Sequence, residues 1–358
     1  MKIIATMRRK FSHTSTTILI FFFALPCVIG WSALNTMTLT TWLTYWKLPG
    51  SVALLKEHFG NTFDAINPFF YAFDENGAII NACKDKDAAT KTLNTLFFLP
   101  SEIIPTITND IIGPRQTKIK DPAIVHRLLS SAVSRQRHIE EIIGLIEELD
   151  ASGVDIDYED IDAHDRDLFS LFIEELAQAL RKQNKKLYVT VQQKTKDHRR
   201  SGAGAVDWQA IARHADRIII MCYNYSSRLG KPGPLCPPHW LKDIISFART
   251  QIPKEKICIA LPLHGYDWSA KKANSVNFKS AQALITAHKA TLNWDWYSAS
   301  PNFHYTENGV RHEVWFENPE SLNEKIKILK RAGILHVAIW HLGLLDPAFL
   351  PSLENIIY

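Results

Sequence analysis

The alternation of short apolar runs with amphipathic stretches constrains the fold of this chain more than any other feature. The runs are rich in Val, Ile, Phe and Tyr, which favour strands, and they occupy residues 40–46, 65–73, 95–99, 153–158, 186–192, 217–223, 256–262 and 335–340. Helical periodicity is clearest in residues 138–149 and recurs in residues 168–182, 240–250 and 321–331. Strands that alternate with helices form parallel sheets, and eight of them suit a closed barrel. The sequence therefore predicts an α/β fold, a (β/α)8 TIM barrel.

Residues 265–334 interrupt this rhythm between the seventh and eighth predicted strands. They contain a helical stretch near residues 281–288 and strand-like segments around Trp294, His304 and Val314. Asn308-Gly309 is typical of a hairpin turn between the last two segments. We expect a small α+β insertion at the carboxyl ends of the barrel strands, where it forms one wall of a cleft.

Residues 1–36 differ in composition from the rest of the chain. A basic group, Lys2 with Arg8, Arg9 and Lys10, precedes an apolar run over residues 17–34, and no acidic residue occurs before Glu57. This pattern is typical of an export signal, and the run is just long enough to stay in a membrane as an uncleaved anchor. We therefore predict a signal peptide or signal anchor at residues 1–36 and a barrel over residues 37–358. The protein is expected to be exported, with membrane contact only through the N-terminal segment.

The net charge and the cysteine spacing argue against nucleic-acid binding, a zinc motif and a disulfide-rich fold. The net charge of +4 is accounted for by the four basic residues of the N-terminal segment, so the remainder is near neutral. No basic stripe is left for a nucleic acid. Cys83, Cys222, Cys236 and Cys258 fit neither a zinc motif nor a dense disulfide scaffold. We expect Cys222 and Cys258 to be buried thiols, with a single disulfide left open, and we expect a monomer without cofactor or metal.

The fourth predicted strand carries three carboxylates at alternate positions. Asp155, Asp157 and Glu159 share one face of an extended segment, whereas Val154, Ile156 and Tyr158 lie on the other. Three carboxylates directed into a barrel are costly if they serve only packing. Their mutual repulsion raises at least one pKa, which provides the protonated carboxylic acid that a glycosidase needs at its working pH. A solvated acidic loop and a divalent-metal site are the alternatives, and no His cluster accompanies the three to favour the metal.

The segment Gly153–Glu159 resembles the D-x-x-D-x-D-x-E signature of glycoside hydrolase family 18, the chitinases and related N-acetylglucosaminidases. Met221-Cys-Tyr223-Asn224 is similar to the M-x-Y-D motif of that family, residues 261–268 resemble its L-P-x-Y-G motif, and Ala338-Ile-Trp340 resembles its eighth strand. The Tyr266-Asp-Trp268 and Trp340-His-Leu-Gly343 segments look closest to the bacterial branch of spore-cortex and cell-wall lytic enzymes.

The resemblance implies hydrolysis of β-1,4-linked N-acetylglucosamine-containing glycans by substrate-assisted, retaining catalysis, and it leaves open whether these are chitin, chitooligosaccharides or peptidoglycan. Glu159 is then the acid that protonates the leaving group, Asp157 orients the substrate acetamido group, and Asp155 holds the proton of Asp157. Tyr223 is expected to hydrogen-bond the acetamido oxygen. Trp340 forms the floor of the sugar site, with further substrate contacts from Met221, Asn224 and Trp268.

Three positions depart from the family pattern: Ser152 stands at the first Asp of the signature, Asn224 at an Asp and His264 at a Tyr. Ser152 puts the hydrogen bonds that support the acid in doubt, whereas Asn224 and His264 are expected to shift the pH optimum or the substrate preference. Two other functions are compatible with the sequence, a non-catalytic carbohydrate-binding lectin on the same barrel and a cell-envelope interaction protein. The presence of Glu159 favours the enzyme over the lectin.

Overall fold

A computed structural model describes residues 37–270 and 272–357. The strands are β1 (Thr38–Thr44), β2 (Ala65–Phe73), β3 (Ile79–Asn81), β4 (Glu102–Ile103), β5 (Thr106–Ile112), β6 (Thr117–Lys118), β7 (Gly153–Asp157), β8 (Lys186–Gln192), β9 (Arg217–Met221), β10 (Ile257–Pro262), β11 (His264–Ser269), β12 (Ala273–Asn277), β13 (Asn293–Asp295), β14 (Ser300–Glu307), β15 (Val310–Trp315) and β16 (His336–Trp340). The α-helices are α1 (Gly50–Leu54), α2 (Lys86–Leu96), α3 (Pro122–Leu129), α4 (Ala132–Glu148), α5 (Arg166–Arg181), α6 (Trp208–Ala212), α7 (Pro238–Gln251), α8 (Phe278–His288), α9 (Pro319–Arg331) and α10 (Leu350–Ile357).

Eight parallel strands close into a barrel in the order β1, β2, β5, β7, β8, β9, β10 and β16, with β16 paired back to β1. The pairing of Thr38 with His336 closes the ring. Residues that face outward from the strands pack against the surrounding helices in one large apolar cluster. The predicted TIM barrel is confirmed.

The third barrel strand corrects the sequence prediction. Residues 95–99 do not form a strand: Leu96 ends α2, and Phe98 lies in the following turn with 90% of its surface exposed. The helix forms because the Asp85 carboxylate accepts a hydrogen bond from the Ala88 N–H, and Ala89, Thr92, Leu93 and Leu96 bury one helical face. The strand that fills the place is β5, which begins directly after Pro105.

Between β10 and β16 the chain forms a second, antiparallel sheet in the order β12, β11, β15, β14 and β13, accompanied by α8. The turn between β14 and β15 consists of Asn308 and Gly309, both with positive φ, as the two-residue hairpin pattern predicts. Phe303, Val314 and Phe316 form the centre of a separate small apolar cluster.

The predicted export segment, residues 1–36, lies outside the described residues. Within the part of the chain that is described, no helix combines the length and the hydropathy needed to span a bilayer. Cys83, Cys222, Cys236 and Cys258 are buried and unpaired with one another, so the prediction of buried thiols at Cys222 and Cys258 is confirmed.

Candidate active site

A cavity of about 1010 Å³ opens at the carboxyl ends of the barrel strands. Its lining comes from residues at or just after the ends of several strands, among them Asp157, Glu159, Tyr223 and Trp340. In TIM barrels the residues that carry the chemistry lie at this end. The insertion contributes to the same lining through β11 and β12.

Strand β7 presents its carboxylates as the alternation predicts. Asp155 and Asp157 are buried towards the barrel interior, whereas Tyr158 packs outward against Phe169 and Phe172. Glu159 follows the end of the strand and lines the cavity.

Asp155 lies beneath the cavity and is held by four hydrogen-bond donors. Its Oδ2 accepts from Trp42 Nε1 at 3.1 Å, Asn67 Nδ2 at 3.2 Å and Thr106 Oγ1 at 2.8 Å, and its Oδ1 accepts from Thr190 Oγ1 at 2.8 Å. Burial raises the pKa of Asp155, and these hydrogen bonds oppose the rise. The donors come from four different barrel strands, so these hydrogen bonds fix the position of the Asp155 carboxylate and of the four donor side chains.

Asp157 and Glu159 are neighbouring carboxylates at the cavity. Burial raises the pKa of Asp157 well above its ordinary value, and the charges of Glu159 and Asp155 raise it further. The Oδ1 atom of Asp157 is buried and has no hydrogen-bond partner among the described residues. Burial also raises the pKa of Glu159. Two such neighbours do not ionise together easily, so the pair retains a proton at a higher pH than an isolated carboxyl would.

Lys120 is the cation closest to this pair among the described ion pairs. Its Nζ lies 2.7 Å from Oε2 of Glu159, and its attraction opposes the effect of burial on the pKa of Glu159. Burial lowers the pKa of Lys120, but attraction by Glu159, Asp157 and Asp160 outweighs it and leaves the pKa raised. The backbone of Lys120 has a φ of 56°, and its N–H donates to Oδ1 of Asp110.

The side-chain amide of Asn109, on β5, holds the backbone of Glu159. Asn109 Nδ2 donates to the Glu159 carbonyl oxygen at 2.8 Å, and the Glu159 N–H donates to Asn109 Oδ1 at 2.9 Å. The same Nδ2 donates to the carbonyl oxygen of Asp121. Asn109 is fully buried, so this arrangement positions the carboxylate that follows β7 relative to the neighbouring strand.

Aromatic rings form the opposite part of the cavity. Trp340 contacts Trp42 and Phe69 edge to face, with ring centroids 5.4 and 5.3 Å apart, and stacks with Tyr223 at 6.3 Å. Trp46 lies beside them. Burial raises the pKa of Tyr223 well above its ordinary value, and the charges of Asp157 and Glu159 raise it further. Its hydroxyl is therefore a permanent proton donor facing two carboxylates.

Two of the positions that depart from the family motifs, Asn224 and His264, form a small polar group with Tyr266 at the cavity wall. Asn224 Oδ1 accepts a hydrogen bond from Tyr266 Oη at 3.0 Å and lies 3.2 Å from His264 Nε2. Burial lowers the pKa of His264 to about 4, so the imidazole is neutral at neutral pH. A neutral imidazole that donates from Nε2 suits the amide oxygen, which only accepts.

The structure brings together most of the predicted site residues. Glu159, Asp157, Tyr223 and Trp340 line one cavity, as do Met221 and Asn224, with Asp155 directly beneath. Trp268 is the exception and lies outside this lining.

The indole of Trp268 does not line the cavity and is buried against Leu235 and Tyr266. Asp150, which precedes the signature, is 95% exposed and cannot support the carboxylates. The sequence does not predict Asn109 and Lys120 as site residues. Neither β5, which carries Asn109, nor the loop before α3, which carries Lys120, contains a recognised motif.

Comparison with known proteins places this site in a family. The sequence profile described as Glycosyl hydrolases family 18 matches residues 124–344. The putative sporulation-specific glycosylase YdhD of Bacillus subtilis is 30% identical over 286 residues, which are 78% of this chain and 66% of that protein. The cortical fragment-lytic enzyme of Bacillus anthracis is 26% identical over 318 residues, 84% of this chain and 71% of that protein.

Among solved structures, a chitinase from Chromobacterium violaceum superimposes with a TM-score of 0.80 at 24% identity, covering 89% of this chain and 98% of that one. At this identity the likeness concerns the fold. Because the family profile covers more than half of the chain and includes β7 with its carboxylates, the protein belongs to glycosyl hydrolase family 18 and is a glycoside hydrolase.

Proposed function

We propose that this protein cleaves β-1,4-linked N-acetylglucosamine glycans, with Glu159 as the catalytic acid, and that the glycan strands of peptidoglycan are its polymer. The observation that carries the proposal is the pair of carboxylates, Asp157 and Glu159, in a cavity that is also lined by the stacked rings of Tyr223 and Trp340. The names of the relatives, a sporulation-specific glycosylase and a cortical fragment-lytic enzyme, favour peptidoglycan over chitin.

The first chemical step follows from the protonation state of the pair. Glu159 transfers its proton to the glycosidic oxygen while the bond between that oxygen and the anomeric carbon breaks. The acetamido oxygen of the same sugar forms the new bond to the anomeric carbon, which gives an oxazolinium ion. The raised pKa of Glu159 provides the proton, and Lys120 keeps that pKa from rising further.

Asp157 and Tyr223 act on the acetamido group. The Asp157 carboxylate, which lines the cavity, accepts a hydrogen bond from the acetamido N–H, and it balances the positive charge of the oxazolinium ion. The Tyr223 hydroxyl donates to the acetamido oxygen. Asp155 keeps Asp157 in place through the barrel interior, and Trp340 lies under the apolar face of the sugar.

The second step regenerates the enzyme. Water attacks the anomeric carbon from the side that the leaving group vacated, and Glu159, now a carboxylate, accepts its proton. The bond to the acetamido oxygen breaks and the acetamido group is restored. Two inversions give net retention of configuration, and neither step requires a metal or cofactor.

The N-terminal segment supports export to the compartment that contains such glycans. Lys2, Arg8, Arg9 and Lys10 followed by the apolar residues 17–34 are typical of an export signal. A fusion of residues 1–36 to a reporter that is active only after export tests this. An inactive fusion in a strain that exports a control signal normally would contradict it.

The enzyme is tested with the full chain, with Glu159→Gln, and with Glu140→Gln as a control at an exposed glutamate. Each is incubated with purified peptidoglycan and with chitin oligomers, and the products are identified by mass spectrometry. We expect fragments with reducing N-acetylglucosamine ends from peptidoglycan, lost only in Glu159→Gln. Sugar binding without cleavage in all three proteins would identify a lectin instead.

A further inference from the structure

Two histidines and a buried aspartate converge outside the catalytic cavity. His126 lies in α3, and His164 and Asp165 lie in the 3-10 turn Ala163–Asp165 that precedes α5. One ligand-type atom from each of the three side chains lies within 4.8 Å of the others. We propose that His126, His164 and Asp165 form a zinc site.

Asp165 is the observation that points to a ligand. It is fully buried, and its Oδ2 atom has no hydrogen-bond partner among the described residues. Asp165 occupies the N-cap position of α5, yet its side chain does not cap the helix. An aspartate at an N-cap normally accepts from the backbone N–H groups of the first turn. This carboxylate is turned towards the two imidazoles instead, and a bare buried oxygen is unfavourable unless something satisfies it.

The distances suit a tetrahedral ion after small side-chain movements. Bonds of about 2.0–2.1 Å to nitrogen and oxygen place tetrahedral ligand atoms roughly 3.4 Å apart. His164 Nε2 lies 3.5 Å from Asp165 Oδ2, which agrees with that separation. His126 Nδ1 lies 2.8 Å from Asp165 Oδ1, so this imidazole must withdraw slightly. Its side chain is half exposed and free to do so.

The types of ligand atom indicate which metal ion would bind. Two imidazole nitrogens and one carboxylate oxygen suit Zn²⁺ and related divalent transition ions rather than Mg²⁺ or Ca²⁺, which prefer oxygen ligands. Three protein ligands leave a fourth position for water, and the exposed sides of His126 and His164 face solvent.

The location of the three side chains indicates which parts of the structure a bound ion would connect. His164 lies five residues after Glu159, in the loop that leads from β7 to α5, and α3 begins directly after Lys120 and Asp121. A zinc ion would therefore join the two segments that carry the Glu159–Lys120 pair. The inference does not depend on the proposed function, because zinc binding can be measured without any substrate.

The test is calorimetric titration of the chelator-treated, tag-free full chain with ZnCl₂. We expect one zinc ion per chain, with binding at least roughly tenfold weaker in Asp165→Asn and in His164→Ala. His58→Ala, which removes an exposed imidazole elsewhere, is the matched control and should leave the affinity unchanged.

Cobalt provides a second measurement on the same proteins. A tetrahedral site with these ligands gives visible absorption bands on addition of CoCl₂, and the two cluster variants should lose them. Because His164 is exposed, His164→Ala tests the site even if the buried Asp165→Asn fails to fold. Absence of stoichiometric binding, or binding that both variants retain, would overturn the proposal.

Discussion

Asn109 makes two hydrogen bonds to the backbone of Glu159, donating to its carbonyl oxygen at 2.8 Å and accepting from its N–H at 2.9 Å. Glu159 lies beyond the end of β7, where no ladder partner fixes its backbone. The Asn109 side chain therefore makes the backbone hydrogen bonds that a neighbouring strand would otherwise provide. The carboxylate that we propose as the catalytic acid is thereby attached to a strand of the barrel.

Asn109→Ala should lower kcat strongly and lower the unfolding temperature only modestly. It leaves the Glu159 N–H and carbonyl without their partners, and a displacement of the acid by about 1 Å can lower the rate roughly 100-fold. Steady-state kinetics and thermal unfolding of the variant measure the two effects. Asn94→Ala, an exposed asparagine in α2, is the control. Full activity in Asn109→Ala would show that Glu159 holds its position without this contact.

Lys120→Met should move the alkaline limb of the pH–activity profile to higher pH. The acid works only when protonated, and the Lys120 ammonium lowers the pKa of Glu159. Removing the ammonium raises that pKa, so Glu159 keeps its proton to a higher pH. The limb in kcat/KM reports the free enzyme. Lys118→Met, which removes an exposed neighbour paired with Asp121, should leave the limb in place. A shift to lower pH would contradict the assignment of Glu159 as the acid.

Asp155→Ala should destabilise the barrel strongly. The change leaves Trp42, Asn67, Thr106 and Thr190 without their common acceptor, and each buried donor left unsatisfied costs about 1–3 kcal/mol. We expect a loss of at least about 3 kcal/mol in the free energy of unfolding, measured by urea denaturation. Asp243→Ala, at an exposed position of α7, should change it little. Unchanged stability in Asp155→Ala would mean that these donors find other acceptors.

The carboxylates could be predicted from the sequence because a strand has a strict period of two. Once Asp155 was placed on the inner face of β7, Asp157 and Glu159 followed. The same reasoning does not give the location of Trp268, which shares an alternating face with His264 and Tyr266 but lies farther along β11, outside the cavity lining. Alternation gives the face of a strand, but only the packing of the insertion decides where the cavity ends.

Asn109 and Lys120 could not be predicted because their roles depend on tertiary contacts. The apolar run ending at Leu99 indicates a strand in the wrong place, because its one buried residue, Leu96, belongs to the buried face of a capped helix and Phe98 is exposed. With β5 missed, nothing in the sequence linked Asn109 to Glu159. The left-handed backbone of Lys120, which turns its side chain into the site, is likewise a property of the folded loop.

Tyr223→Phe should lower turnover without lowering stability. The Tyr223 hydroxyl makes no hydrogen bond to another described residue, so its removal leaves no described protein group unsatisfied. Because burial raises the pKa of Tyr223, the hydroxyl stays protonated and available to the acetamido oxygen as charge develops there. Loss of one such donor lowers kcat by about 100-fold or more in other enzymes. Tyr297→Phe, at an exposed tyrosine, is the control. A variant that binds and cleaves normally would remove Tyr223 from the mechanism and leave Asp157 alone to orient the acetamido group.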